Sequence, residues 1–255
     1  MNSEKVYSLA GETALITGGG TGIGFGIARC MIMSGARVVL VGRREKELAA
    51  ACHELGAEAS FVVQDITKFQ ELPGLVQKAE KSTGHPVSIL VNNAGIHLKK
   101  LAEETTAEEF QSVLNTHVVA AHALTKAFIP GMVQRGHGNV LFTSSMSAFM
   151  GLTKVVAYAA AKSAFFGMVA TLSAELAAKG VRVNAIAPGW IHSAMTQSAL
   201  DNDPERKAKV MARIQMGCMG QPDDIGWSAV FLCSPAAGYI TGVTLPVDGG
   251  AVVGF

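Results

Sequence analysis

The chain alternates short runs of β-branched and aliphatic residues with longer segments of helical composition. Seven runs predict strands: Thr13 to Thr17, Arg37 to Val41, Ala59 to Val63, Ser88 to Asn92, Asn139 to Ser144, Arg182 to Ala187 and Thr244 to Val247. Between them lie helix-like segments around 23–34, 45–55, 69–82, 107–135, 155–179 and 222–233. Runs such as Val38-Val39-Leu40-Val41 show no polar alternation, as expected of strands covered on both faces. Strands that alternate with helices pair in parallel through crossover connections. The pattern therefore predicts an α/β chain with one doubly wound parallel sheet of about seven strands and helices on both faces.

Local signals sharpen several boundaries. Thr106-Ala107-Glu108-Glu109 reads as a capping box, with Thr106 at the N-cap and Glu109 reaching back from the third position. Pro130-Gly131 predicts a break or kink after Phe128, and Gly180 a left-handed cap after Lys179. No linker, low-complexity tract or repeat divides residues 1–255, which are expected to form one domain. The least patterned stretch, about 190–219, is polar and contains methionines. A long irregular segment beside the carboxyl edge of a parallel sheet predicts a substrate lid.

Composition narrows the function classes. Hydrophobic residues make up 49% and charged residues 16%, with mean hydropathy +0.31, so the buried fraction is large. A net charge of +1 without any basic block argues against a nucleic-acid surface. Cys30, Cys52, Cys218 and Cys233 are scattered without C-x-x-C or His spacing, which predicts reduced thiols and neither a disulfide framework nor a metal site. The first ten residues carry Glu4 and Lys5 and no signal-length apolar segment, and the longest apolar runs are interrupted by Lys126, Lys162 and Glu175. A cytoplasmic protein without membrane insertion is expected.

The stretch Thr17-Gly18-Gly19-Gly20-Thr21-Gly22-Ile23-Gly24 follows the first strand and opens the first long helix. So many glycines imply positive φ or a close backbone approach to a guest. A strand, a glycine-rich turn and a helix N-terminus form an anion site, and phosphate is the natural occupant. Gly18, Gly22 and Gly24 fit G-x-x-x-G-x-G and not G-x-G-x-x-G. Farther on, Tyr158 and Lys162 share one helix face, Ser145 follows the fifth strand, Asn92-Asn93-Ala94-Gly95 ends the fourth, Asn115 interrupts a helix, and Pro188-Gly189 ends the sixth.

Taken jointly, these motifs and the closing Tyr239-Ile240-Thr241-Gly242 through Val247-Asp248-Gly249-Gly250 closely resemble a classical short-chain dehydrogenase/reductase over essentially the whole chain. The resemblance implies a Rossmann-like fold and a hydride exchange in which Tyr158 is the general acid or base. Lys162 would depress the Tyr158 pKa and hold the nicotinamide ribose, Ser145 would stabilise charge on the substrate oxygen, and Asn115 would bind a relay water through a carbonyl freed at the helix break. Gly18, Gly22, Ile23 and Gly24 would meet the pyrophosphate, and Thr21, where many NADP-using members carry a second basic residue, would also lie at the cofactor. Asp65 and Ile66 would lie at the adenine, Asn92 and Gly95 at the adenosine ribose, and Pro188, Gly189, Ile191 and Ser193 at the nicotinamide. Asp65 also reads as a helix N-cap before Lys68.

The second strand ends in Gly42-Arg43-Arg44 with no carboxylate before Glu45, which favours NADP(H) held by Arg43 and Arg44, with NAD(H) as the lesser cofactor. His97, Met146, Met150, Trp190 and Met195 read equally as substrate-lining residues or as ordinary surface and packing positions. The expected substrate is a ketone, 3-oxoacyl thioester or keto-sugar, and the helices 107–135 and 155–179 are apolar enough to pack a homotetramer. A non-catalytic NADP sensor and an enoyl- or dienoyl-thioester reductase are the competing readings. No metal is expected.

Overall fold

A computed structural model describes residues 3–193, 196 and 204–254. Its strands are β1 (Thr13–Thr17), β2 (Arg37–Gly42), β3 (Ala59–Val63), β4 (Ile89–Asn92), β5 (Gly138–Thr143), β6 (Val181–Pro188) and β7 (Thr244–Val247). They form one parallel sheet in the order β3-β2-β1-β4-β5-β6-β7. Side chains alternate between two cores. Ala14, Ile16, Val38, Leu40, Ile89 and Val91 face one, with α1 (Gly22–Met33) and the helix Pro222–Cys233. Leu15, Val39, Val41, Leu90, Val140 and Phe142 face the other. Both faces are thus covered, which is why the strands read as unbroken apolar runs.

The other helices are α2 (Glu45–Leu55), α3 (Leu72–Thr83), α4 (Ala107–Leu114), α5 (Ala120–Arg135), α6 (Val156–Leu176), α7 (Pro204–Arg213) and α8 (Pro222–Cys233). The capping box forms at α4: Glu109 N–H donates to Thr106 Oγ1 at 3.2 Å and Thr106 N–H to Glu109 Oε2 at 3.0 Å. Gly180 takes the left-handed cap at φ 77°. Pro130, in contrast, does not end its helix. Leu124, Phe128 and Met132 hold α5 against the sheet, and it runs to a left-handed Gly136. The segment expected as one helix over 107–135 contains a π turn, Asn115–Val119, between α4 and α5.

Two further expectations are corrected. Within the stretch expected to be irregular, residues 204–213 form α7, because Val210, Met211 and the following Ile214 give it a narrow apolar edge that packs with Met146 and Trp190. The helical stretch Val156–Lys179 contains an 18-residue window of mean hydropathy 1.3, apolar and long enough by composition to cross a membrane. The lysine expected to interrupt it, Lys162, is buried, and Phe165, Val169 and Leu176 pack into the core of the sheet.

Candidate active site

Strand order reverses between β1 and β4, and there the carboxyl ends open into a groove of about 430 Å³. Thr17 ties the two strand ends together: its hydroxyl accepts the N–H groups of Asn93 and Ala94, both at 3.0 Å, while Asn93 Nδ2 donates to the Thr17 carbonyl at 2.9 Å. Gly18 and Gly22 adopt positive φ, 66° and 56°. A Cβ on Gly24 would lie 2.6 Å from Asn93 Nδ2 and press on the Gly18 carbonyl. These positions leave backbone exposed at the start of α1, where unpaired N–H groups favour an anion.

Of the residues expected around a dinucleotide, Gly18, Thr21, Ile23, Gly24, Arg43, Arg44, Asp65, Ile66, Gly95 and Ser193 line this groove. Arg44 is committed to Glu47 at 3.2 Å. Burial raises the Asp65 carboxyl, but hydrogen bonds from the Thr67 hydroxyl and N–H, at 2.7 and 2.9 Å, and the charge of Arg43 outweigh it and hold the group below its ordinary range. The Asp65 side chain therefore also serves as a local turn cap.

A second cavity, about 1100 Å³, adjoins the first and shares Gly95 and Ile96 with it. Ser145, Tyr158, Gly189 and Ile191 line it, together with His97, Met146, Met150 and Trp190. Met195 lies outside the described residues. Ser145 sits in extended backbone just after β5, its hydroxyl accepting the Ser147 N–H at 3.1 Å. The first turn of α6 brings Tyr158 to the same place. Its ring stacks on His97 at 4.9 Å and meets His117 edge-on at 5.5 Å. Lys162 lies one turn on, 3% exposed, its Nζ 5.5 Å from the Tyr158 ring centre.

The electrostatics differ from the expectation that Lys162 depresses the phenol. Burial pushes Tyr158 up, and a hydrogen bond with Ser145 only partly offsets this. Burial alone pulls Lys162 down to about 7. Its Nζ donates to the Thr143 carbonyl at 2.6 Å. Within the chain by itself, both groups are driven toward neutrality.

Two other expectations change. The Asn115 carbonyl is not freed at the helix break, since the π turn passes it to the Ala120 N–H, and the side chain accepts from Gln111 Nε2 at 2.8 Å. The Asn92 side chain turns away from the groove and donates to Thr125 Oγ1 at 3.2 Å, fixing β4 to α5, so Asn93 lines the groove instead. Pro188 is buried at the end of β6 and lines neither cavity, and Gly22 stands at the first position of α1. Sequence reasoning missed His117. Its one available signal was a histidine followed at once by the apolar run Val118-Val119-Ala120-Ala121. Among the described residues no group of acidic, His or Cys side chains could hold a metal.

Comparison with known proteins places this geometry in a lineage. Residues 18–252 match the family model described as enoyl-(acyl carrier protein) reductase. The chain is 39% identical over 246 residues to 2-dehydro-3-deoxy-D-gluconate 5-dehydrogenase of Bacillus subtilis, covering 96% of each. It is 39% identical over 256 residues to galactitol 2-dehydrogenase (L-tagatose-forming) of Cereibacter sphaeroides, covering 99% of this chain and 100% of that one. A gluconate 5-dehydrogenase from Burkholderia cenocepacia, solved with NADP and tartrate, superposes with a TM-score of 0.94 at 28% identity over 100% of both chains. The chain belongs to the short-chain dehydrogenase/reductase family and is an oxidoreductase.

Proposed function

We propose that the protein interconverts a carbonyl and a secondary alcohol with NADP(H), using Tyr158 as general acid in reduction and general base in oxidation. The observation that carries this reading is the meeting of Tyr158 and Ser145 in a cleft that continues into the glycine-walled groove. The groove fits a dinucleotide: side chains on Gly18 or Gly24 would press on Asn93, Ala94 or the Gly18 carbonyl and disturb the turn that forms its wall, and Arg43 stands at the end of β2 where a ribose phosphate would need a cation. When bound, the nicotinamide supplies the hydride.

The chain's own residues do the rest. Ser145 donates a hydrogen bond to the substrate oxygen and stabilises the negative charge that grows on it. Tyr158 delivers a proton to that oxygen or removes one. Lys162 would hold the ribose hydroxyls and, once charged, would draw the phenol toward ionisation.

Substrate class follows from the cleft. Met146, Met150, Leu152, Trp190 and Val210 supply apolar wall, while Lys99, Lys209 and Arg213 lie around it and none of the described lining residues is acidic. Lys209 is shared with Glu205 at 2.7 Å, and Arg213 Nε donates to the Ala251 carbonyl at 2.8 Å. This lining favours a carbonyl compound that carries an anionic group, as sugar acids and acyl thioesters of phosphorylated carriers do. The relatives' names, a dehydro-deoxygluconate dehydrogenase among them, support the same class. Trp190 and the α7 residues Lys209, Val210 and Arg213 border the cleft, where the expected lid would act, and free Cys30, Cys52, Cys218 and Cys233 suit a reducing, cytoplasmic compartment.

The test follows oxidation of NADPH, and separately NADH, by purified protein against keto acids, keto-sugars, 3-oxoacyl thioesters and enoyl thioesters. NADPH-dependent turnover of an anionic carbonyl compound supports the reading. Turnover of enoyl thioesters alone replaces it with the reductase alternative, and tight NADPH binding without turnover of any compound favours the sensor.

A further inference from the structure

We propose that His117 is a positioning residue for Tyr158: the edge of its buried ring is the inner wall that fixes the plane of the Tyr158 ring. The inference rests on the proposed reaction for its effect on turnover, but its geometry stands independently.

His117 occupies the middle of the π turn Asn115–Val119 and is 3% exposed. Single π turns inside α-helices concentrate at functional sites, because the extra residue re-aims side chains that regular helix would direct elsewhere. Here the imidazole reaches the loop that follows β4. Nε2 lies 3.0 Å from the Ile96 nitrogen and 2.8 Å from the Ile96 carbonyl oxygen, so this one atom can serve either group but not both. The other ring nitrogen, Nδ1, is buried with no partner. An apolar side chain of similar size would avoid that unpaired atom.

The ring is wedged between two groups. On one side is Gly95, whose φ is not positive and whose lack of a side chain is a matter of space: a Cβ there would overlap the imidazole. On the other is Tyr158, at 5.5 Å and an interplanar angle of 88°. His97 lies nearly parallel to the Tyr158 ring, at 26°. Two imidazoles in different orientations therefore leave the phenol little freedom to tilt away from Ser145. Burial and the nearby charge of Lys162 pull His117 down to about 3, so it is a neutral wedge and no proton donor in the working range. The charged or titratable groups facing Tyr158 are then His97 from the loop after β4, His117 from the π turn and Lys162 from its own helix.

Two variants of the full chain separate this from a structural role. His117→Leu keeps a buried side chain without a ring, whereas His117→Phe keeps a ring edge for Tyr158 without any hydrogen bond to Ile96. For each, three quantities are measured: kcat with the best carbonyl substrate, Kd for NADPH by fluorescence, and the near-ultraviolet circular dichroism of Tyr158. The last is isolated by subtracting the spectrum of the same protein carrying Tyr158→Phe. In His117→Leu, kcat falls about 10-fold or more with Kd for NADPH within about 3-fold, and the Tyr158 band weakens. In His117→Phe, kcat stays within about 3-fold of the parent and the band persists. Parental kcat and band in His117→Leu would overturn the proposal, as would a loss in His117→Phe equal to that in His117→Leu, or a Kd that rises in step with the loss of kcat. The dichroism is read without turnover, so failure of the proposed reaction leaves it decisive for the contact.

Discussion

Lys162 Nζ donates to the carbonyl of Thr143 at 2.6 Å in a place where no carboxylate offsets its burial. The lysine is held near 7 by the fold, far below the ordinary value of 10.5. Between those values the unfolded chain carries the proton and the folded chain does not, so folding stability rises with pH across the window, by at most about 1.4 kcal/mol per pH unit. The thiols of Cys30 and Cys233, raised to about 12, act with the opposite sign above their ordinary value of 9.0, so the comparison belongs below it. Urea unfolding of the cofactor-free protein is expected to show a midpoint that climbs from about pH 7 toward 9 in the parent and stays flatter in Lys162→Met. Parallel profiles for the two proteins would contradict this.

Arg43 lines the groove at the end of β2 and acts on Asp65, while Arg44 is engaged with Glu47. Arg43 is the cation proposed to meet a ribose phosphate. Arg43→Ala is expected to weaken NADPH binding about 10- to 100-fold, the loss of one charged hydrogen-bonded contact, and to leave NADH within about 3-fold. Titration of both cofactors checks it, and an unchanged preference would remove Arg43 from the assignment.

Gly26 packs α1 on α8: a Cβ there would stand 2.6 Å from Pro222. Gly74 in α3 faces open space. Gly26→Ala is expected to cost about 1–3 kcal/mol through overpacking, and Gly74→Ala to be neutral or to stabilise by up to about 1 kcal/mol. Denaturant unfolding of the two variants checks the contrast, and equal effects would refute it.

Phe149, Val156, Trp227, Tyr239 and Val243 are large apolar side chains left exposed on the single chain. The expected homotetramer would cover surfaces of this kind. Light scattering at working concentration should give about four times the 26.6 kDa chain mass. A monomer would contradict the assembly.

Most of the sheet was legible because its inner strands are buried on both sides, so Val38 to Val41 and Ile89 to Val91 carry the apolar signal at every position. The catalytic candidates were legible for a different reason: Ser145, Tyr158 and Lys162 are separated by spacings that only a strand end followed by a helix turns into proximity. What escaped depends on tertiary contacts. Pro130 is carried through α5 by packing of Phe128 and Met132, and α7 hides its apolar edge among lysines and arginines. Asn92 and Asn93 are indistinguishable in sequence, and only the pleat of β4 decides which one faces the groove. His117 becomes visible only when the π turn directs it at Gly95 and Tyr158.

The central claim, that Tyr158 moves the proton, is tested most directly by single-turnover oxidation of prebound NADPH in the parent and in Tyr158→Phe, with a carbonyl substrate in excess. The account predicts that the variant binds NADPH within about 3-fold of the parent yet reacts about 100- to 10,000-fold more slowly, the range for loss of a general acid. A variant that binds NADPH and reacts at the parental rate would contradict it.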